Sequence, residues 1–148
     1  MNNIVSFPQP ATHVQEVRFE LPSSTEFVNP LMSFFYTLLK NKRVEEPVIS
    51  NVVTAIIEAV ANAITHGNQS DINKKIMLIV AIGERSLYVE VLDEGQGFDL
   101  GTVPDPVAPE NLMKPSGRGI FLIKSLMDSV DFDFSGKGTR LVMGKQFG

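Results

Sequence analysis

The sequence predicts an α/β fold, a two-layer sandwich in which a mainly antiparallel, mixed sheet carries helices on one face. Three observations lead there. The stretch from Pro47 to Gly67 has apolar residues at helical spacing between a proline suited to a first turn and a glycine suited to a helix end. Lys75 to Ile82 and Ser86 to Leu92 are branched, apolar segments of strand length joined at Gly83-Glu84-Arg85. A third helical pattern and a closing pair of strands complete the chain, with no internal repeat or second domain visible.

The elements follow in order. Residues 1–12 hold two prolines and few core-forming side chains, and read as a flexible lead-in to a single domain over residues 13–148. His13 to Leu21 alternates partly and suggests an edge strand. Phe27, Leu31, Phe34, Phe35 and Leu38 then recur at helical spacing, with Pro30 marking a possible first turn. In the Pro47 helix, Ile49, Val52, Val53, Ile56 and Val60 gather on one side, and Asn51, Thr54, Glu58, Asn62 and Thr65 on the other. After the strand pair, Phe98 to Ser116 has no periodicity and four prolines, which suits a lid over a site. Gly117 to Ser129 reads as the third helix, with Ile120, Phe121, Ile123, Leu126 and Met127 as its apolar side. Phe132 to Phe134 and Thr139 to Met143 close the fold as a hairpin around Ser135 to Gly138.

Composition narrows the function. With 148 residues, 43% apolar and 20% charged, the chain can bury a core unaided. Its 13 Lys/Arg against 17 Asp/Glu leave a charge of -4, which disfavours nonspecific contact with nucleic acid or anionic membrane. No cysteine is present, so disulfides, thiolate chemistry and cysteine-bound zinc are excluded. Met1 to Pro10 does not read as a signal peptide, and the apolar stretches read as too short to span a bilayer. The expected location is the cytoplasm.

Four places carry candidate chemistry. Glu58 and Asn62 are four residues apart, hence on one helix face. Asn62 can give magnesium an oxygen, since that ion takes few ligands from protein and more from phosphate and water. Glu58 can orient or deprotonate a hydroxyl that attacks a γ-phosphate. The plainer reading is a polar pair facing solvent. Asp93 directly follows a strand and can accept from an exocyclic amine such as that of adenine, while Gly95 and Gly97 permit close approach; an ordinary acidic turn is the alternative.

Gly117-Arg118-Gly119 opens a helix, where free backbone donors can meet phosphate and Arg118 can add charge. Gly136-Lys137-Gly138-Thr139 reads first as a hairpin turn, and second as a small-residue wall beside a base, with the Thr139 hydroxyl as a polar contact. His66 can stabilise a helix end; with His13 far away in sequence, a zinc site is not indicated. Phe27, Phe34, Phe35 and Phe121 read as core.

These pieces occur in a known order. Glu58-Ala-Val-Ala-Asn62-Ala-Ile-Thr-His66-Gly67 resembles the N box of the GHKL ATPases. Asp93-Glu-Gly95-Gln-Gly97 is similar to their first glycine box, Gly117-Arg-Gly119-Ile-Phe-Leu-Ile to the second, and Gly136-Lys-Gly138-Thr139 to the third. Within that superfamily, small size, a short lid and the run Gly119 to Asp128 resemble the stand-alone anti-sigma-factor serine kinases.

The resemblance implies a Bergerat, histidine-kinase-like ATPase fold with ATP and Mg2+ as cofactors. It implies Glu58 and Arg118 as catalytic residues and Asn62 as the metal ligand. Asn62, His66, Asp93, Gly95, Gly97, Gly117, Arg118, Gly119, Gly138 and Thr139 would bind the nucleotide. It further implies a homodimer that sequesters a sigma factor and phosphorylates a serine of a STAS-type anti-anti-sigma protein, with no direct nucleic-acid or membrane contact. The alternatives are a nucleotide-gated binding regulator with little or no transfer activity, and a histidine-kinase-like phosphotransferase acting in trans.

Overall fold

The computed structural model describes residues 15–95, 115–133 and 138–147, with side chains from residue 119 onward in the second stretch. The lead-in over 1–12, the lid residues 98–114, Gly97, Gly136, Lys137 and the side chain of Arg118 lie outside the described residues.

Five strands form one sheet: β1 (Gln15–Pro22), β2 (Lys75–Ile82), β3 (Ser86–Leu92), β4 (Ser129–Asp133) and β5 (Arg140–Gln146). Their order is β1-β2-β3-β5-β4, and every described ladder is antiparallel. β2 and β3 keep the bounds read from the sequence. Alternation along these strands sends Ile76, Leu78, Val80, Leu87, Val89, Val91, Leu141 and Met143 into the core. On the opposite face, Arg140 Nε donates to the buried carboxylate of Glu90 across the β3–β5 ladder.

Three helices cover the core face. Ser24 accepts from the Glu26 N–H at 3.3 Å and starts a short 3₁₀ turn, Thr25–Phe27, which runs into α1 (Val28–Asn41). Pro30 sits in the first turn of α1, where a missing N–H removes no helix bond, so the helix begins before the proline rather than at it. Leu31, Phe35 and Leu39 point into the core one turn apart. Phe34 joins Phe19 of β1 and Phe35 edge-to-face, at centroid separations of 4.9 and 5.1 Å. Each such pair adds about 0.5–1.5 kcal/mol beyond simple burial, and together they tie the edge strand to α1.

α2 (Glu46–Asn62) lies between α1 and α3 (Pro115–Leu126). Pro47 occupies its first turn, as expected. Its end differs from expectation. The helix widens into a π turn, Ala63–Gly67, in which the Asn68 N–H reaches back to the Ala63 carbonyl at 2.8 Å. Gly67 is therefore not a left-handed cap; Gly138 is the only described glycine with positive φ.

Two further expectations are corrected. Phe121 is 48% exposed rather than core, because Gly119, Ile123 and Met127 mark the α3 face turned to the interior and Phe121 projects from the other. By length and composition, Glu46–Gly67 is apolar enough to cross a bilayer, contrary to the reading that no stretch is. Its apolar side is instead covered by the sheet and the flanking helices.

Candidate functional site

α2 and α3 bring the first two polar groups together. Glu58 and Asn62 are half-buried on the side of α2 that meets α3. Both side chains end beside the bare Cα of Gly119. A Cβ there would lie 2.6 Å from Glu58 Oε1 and 2.7 Å from Asn62 Nδ2. Gly119 is thus the notch that gives this carboxylate and this amide room at the helix crossing. Gly117 lies in the first turn of α3, which starts at Pro115, two residues earlier than the spacing suggested.

The second part of the site is built around Asp93, which follows β3 and is 9% exposed. Its Oδ1 accepts from the N–H groups of Gly95 and Thr139, both at 3.0 Å. Its own N–H donates to the Thr139 carbonyl at 3.1 Å. Oδ2 accepts no hydrogen bond from the described residues and lies against Gly67. A Cβ on Gly67 would overlap that carboxyl, and one on Gly95 would overlap the Gly67 carbonyl. Glycine is required at both places by close approach.

Gly138 is constrained twice. Its φ of 86° is left-handed, and a Cβ there would run into the Asp93 carbonyl oxygen. We expect Gly138→Ala to lower stability by about 2 kcal/mol or more, combining the left-handed penalty with a backbone clash. A urea midpoint equal to that of the wild type would contradict this.

Of the remaining expected residues, His66 and Thr139 lie near Asp93, while Gly97 and the side chain of Arg118 lie outside the described residues. His66 is exposed on the π turn beside Gly67, and Thr139 pairs its backbone with Asp93. Sequence reasoning missed Asn68 and Ser23, both buried and joined by a 2.8 Å hydrogen bond. Asn68 directly follows Gly67 of the N box, but an asparagine at a helix end reads equally as a surface residue.

Burial pushes the Asp93 carboxyl above the ordinary carboxylate range, against the opposing pull of the Gly95 and Thr139 N–H groups and of Lys74. The folded state holds this proton more tightly than the unfolded chain, so Asp93 opposes folding once ionised, and stability falls as pH rises from the unfolded value through the raised folded value. Asp93→Asn keeps an oxygen for both backbone donors and removes the charge. It is expected to be more stable than wild type at neutral pH, with the difference vanishing in acid. Paired urea unfolding curves across that range test this; a constant difference would contradict it.

A nucleotide and its metal fit these residues. The Asp93 oxygen that no described residue hydrogen-bonds suits an amine donor. From Glu58 to Gly67 the helix rises roughly 13 Å, a span suited to an extended nucleoside triphosphate. Among the described residues no three His, Asp or Glu side chains gather. An ion held there would take Asn62 and phosphate oxygens, which is magnesium-like chemistry.

The family of histidine kinase-like ATPase domains matches residues 21–145. An anti-sigma F factor of Clostridium acetobutylicum is 34% identical over 104 residues, 67% of this chain and 71% of the relative. The serine-protein kinase RsbW of Listeria monocytogenes is 28% identical over 141 residues, 91% of this chain and 89% of the relative. The crystal structure of the RsbU and RsbW domains of Rv1364c from Mycobacterium tuberculosis shares the fold, with a TM-score of 0.66 at 17% identity. That match covers 90% of this chain and 32% of the other. A histidine kinase domain from Erythrobacter litoralis EL346 aligns with a TM-score of 0.51 at 14% identity, over 84% of this chain and 61% of its own. The chain belongs to the histidine kinase-like ATPase domain family, in the anti-sigma-factor kinase branch of the GHKL superfamily.

Proposed function

We propose that this chain is a cytoplasmic serine kinase and regulatory binder. It sequesters a sigma factor and transfers the γ-phosphate of ATP to a serine of a STAS-type partner. The observation that carries this is the pairing of Glu58 and Asn62 at the Gly119 notch, with Asp93 Oδ2 against Gly67 at the end of the π turn that continues the same helix.

In this reading Asp93 Oδ2 accepts from the exocyclic amine of adenine, with His66, Gly95, Gly97, Gly138 and Thr139 around the base. Gly117, Arg118 and Gly119 face the phosphates. Magnesium, held by Asn62, would neutralise charge on the phosphate oxygens. Glu58 takes the proton of the serine hydroxyl as its oxygen bonds to the γ-phosphorus, and the bond to the ADP oxygen breaks. The new phosphoserine adds negative charge to the partner's surface and weakens its hold on the kinase. Release and capture of the sigma factor then follow the partner's phosphorylation state. Homodimerisation belongs to the same proposal, and a monomer mass at micromolar concentration would count against it.

The test is transfer of labelled γ-phosphate from magnesium ATP to proteins captured from the native cytoplasm. Acid-stable label on a serine of a small partner is the expected result. Acid-labile label would assign histidine phosphotransfer instead, and captured partners without label would leave a nucleotide-gated binder. Asp93→Asn should weaken ATP binding by about tenfold to a hundredfold, the worth of a hydrogen bond to a charged group, measured by titration calorimetry.

A further inference from the structure

Asn68 is completely buried, and its side-chain amide is engaged on both sides. Nδ2 donates to Ser23 Oγ at 2.8 Å and to the Lys75 carbonyl at 3.0 Å. Oδ1 accepts from the Glu94 N–H at 2.7 Å. Ser23 Oγ in turn donates to the Lys74 carbonyl at 2.6 Å, so its lone pair is directed at Asn68. The Glu94 carboxylate accepts from the Lys75 N–H, closing the circuit. One side chain thereby joins the approach to α1, the end of the π turn, the start of β2 and the loop after β3.

The bond to Glu94 matters most. The Glu94 N–H and the Asp93 carbonyl belong to one rigid peptide plane. Asn68 holds the nitrogen side of that plane, and Gly138 packs against the oxygen side. The orientation of the plane sets the backbone from which the Asp93 carboxyl projects. Gly95 and Thr139 hold Oδ1, but neither holds this plane by its N–H.

We propose that Asn68 is a positioning residue for base selection: through the Asp93–Glu94 peptide it aims Asp93 Oδ2 before any nucleotide arrives. This rests on the reading of Asp93 as the adenine acceptor. It assigns to Asn68 no contact with the nucleotide. Its effect is on discrimination between bases, because a carboxylate turned away from the exocyclic position no longer separates an amine from a carbonyl oxygen.

The experiment compares the affinities of ATP and inosine triphosphate, which carries a carbonyl oxygen in place of the amine. It uses wild type, Asn68→Ala and Asn68→Asp, with urea stability measured alongside. Both variants lose the donors to Ser23 and Lys75 and should be destabilised. Asn68→Asp keeps an acceptor for the Glu94 N–H and should keep the ATP preference within about threefold, whereas Asn68→Ala should lose about tenfold of it. An ATP preference that survives in Asn68→Ala overturns the inference and leaves a purely structural asparagine. Equal loss in both variants also overturns it. A wild type that binds the two nucleotides alike would instead refute the adenine reading of Asp93. Hydrogen exchange at the Glu94 amide of the nucleotide-free wild type needs no variant, and tests the bond on which the proposal depends if neither folds. Slow exchange is expected from a bond to a buried acceptor, and exchange at the rate of an open loop overturns the proposal.

Discussion

Glu58→Gln is expected to lower phosphoryl transfer by about 10²–10⁴-fold while leaving ATP binding intact. The substitution keeps the size of the side chain and one oxygen beside Gly119, so the packing of α2 against α3 is undisturbed. What it removes is a group able to take a proton. The serine hydroxyl would then have to lose its proton to water, raising the barrier by about 2.7–5.5 kcal/mol. Removal of a negative charge near the phosphates should leave ATP affinity equal or slightly higher, so the change falls on turnover and not on binding. Initial rates with a purified partner, and calorimetric titration with magnesium ATP, separate the two quantities. Unchanged turnover would remove Glu58 from the chemistry; lost binding would make it part of the nucleotide cradle.

Gly119→Ala should separate stability from activity in the opposite sense. Alanine is preferred over glycine inside a helix by about 1 kcal/mol, and Gly119 lies within α3. The new methyl would fall 2.6 Å from Glu58 Oε1 and 2.7 Å from Asn62 Nδ2. Those are the ends of side chains that can rotate, so they give way before the backbone does. The expected variant folds as well as wild type, transfers phosphate about 100-fold more slowly, and binds magnesium ATP more weakly because Asn62 is displaced. A thermal melt with rate measurements decides it. Wild-type rates in a stable variant would mean that Glu58 and Asn62 do their work elsewhere.

Some of this was legible because its cause is local. The four-residue spacing of Glu58 and Asn62 places them on one helix face whatever surrounds the helix. The β2–β3 hairpin was readable from its branched residues and its short link. Phe121 was misread for the converse reason: an apolar residue in an apolar helix does not say which way the helix is turned. That rotation is set by Gly119 seating on Glu58 and Asn62, a contact between segments far apart in sequence. Asn68 escaped notice because nothing local distinguishes a buried asparagine from one at the surface.

The layers, the helix that carries Glu58 and Asn62, and the family membership, carried by an N box followed by three glycine boxes, were legible from residue order alone. These depend on periodicity and residue type, which act over a few neighbours. Packing between segments supplied the reason that Gly67, Gly95, Gly119 and Gly138 are glycines. At Gly67 the expected helix cap is instead a place where the Asp93 carboxyl occupies the volume of a side chain, and the helix ends as a π turn. Gly95, Gly119 and Gly138 are likewise demanded by atoms from other segments. Two atoms cannot share one space, and which atoms compete for it is settled only when the strands and helices have packed.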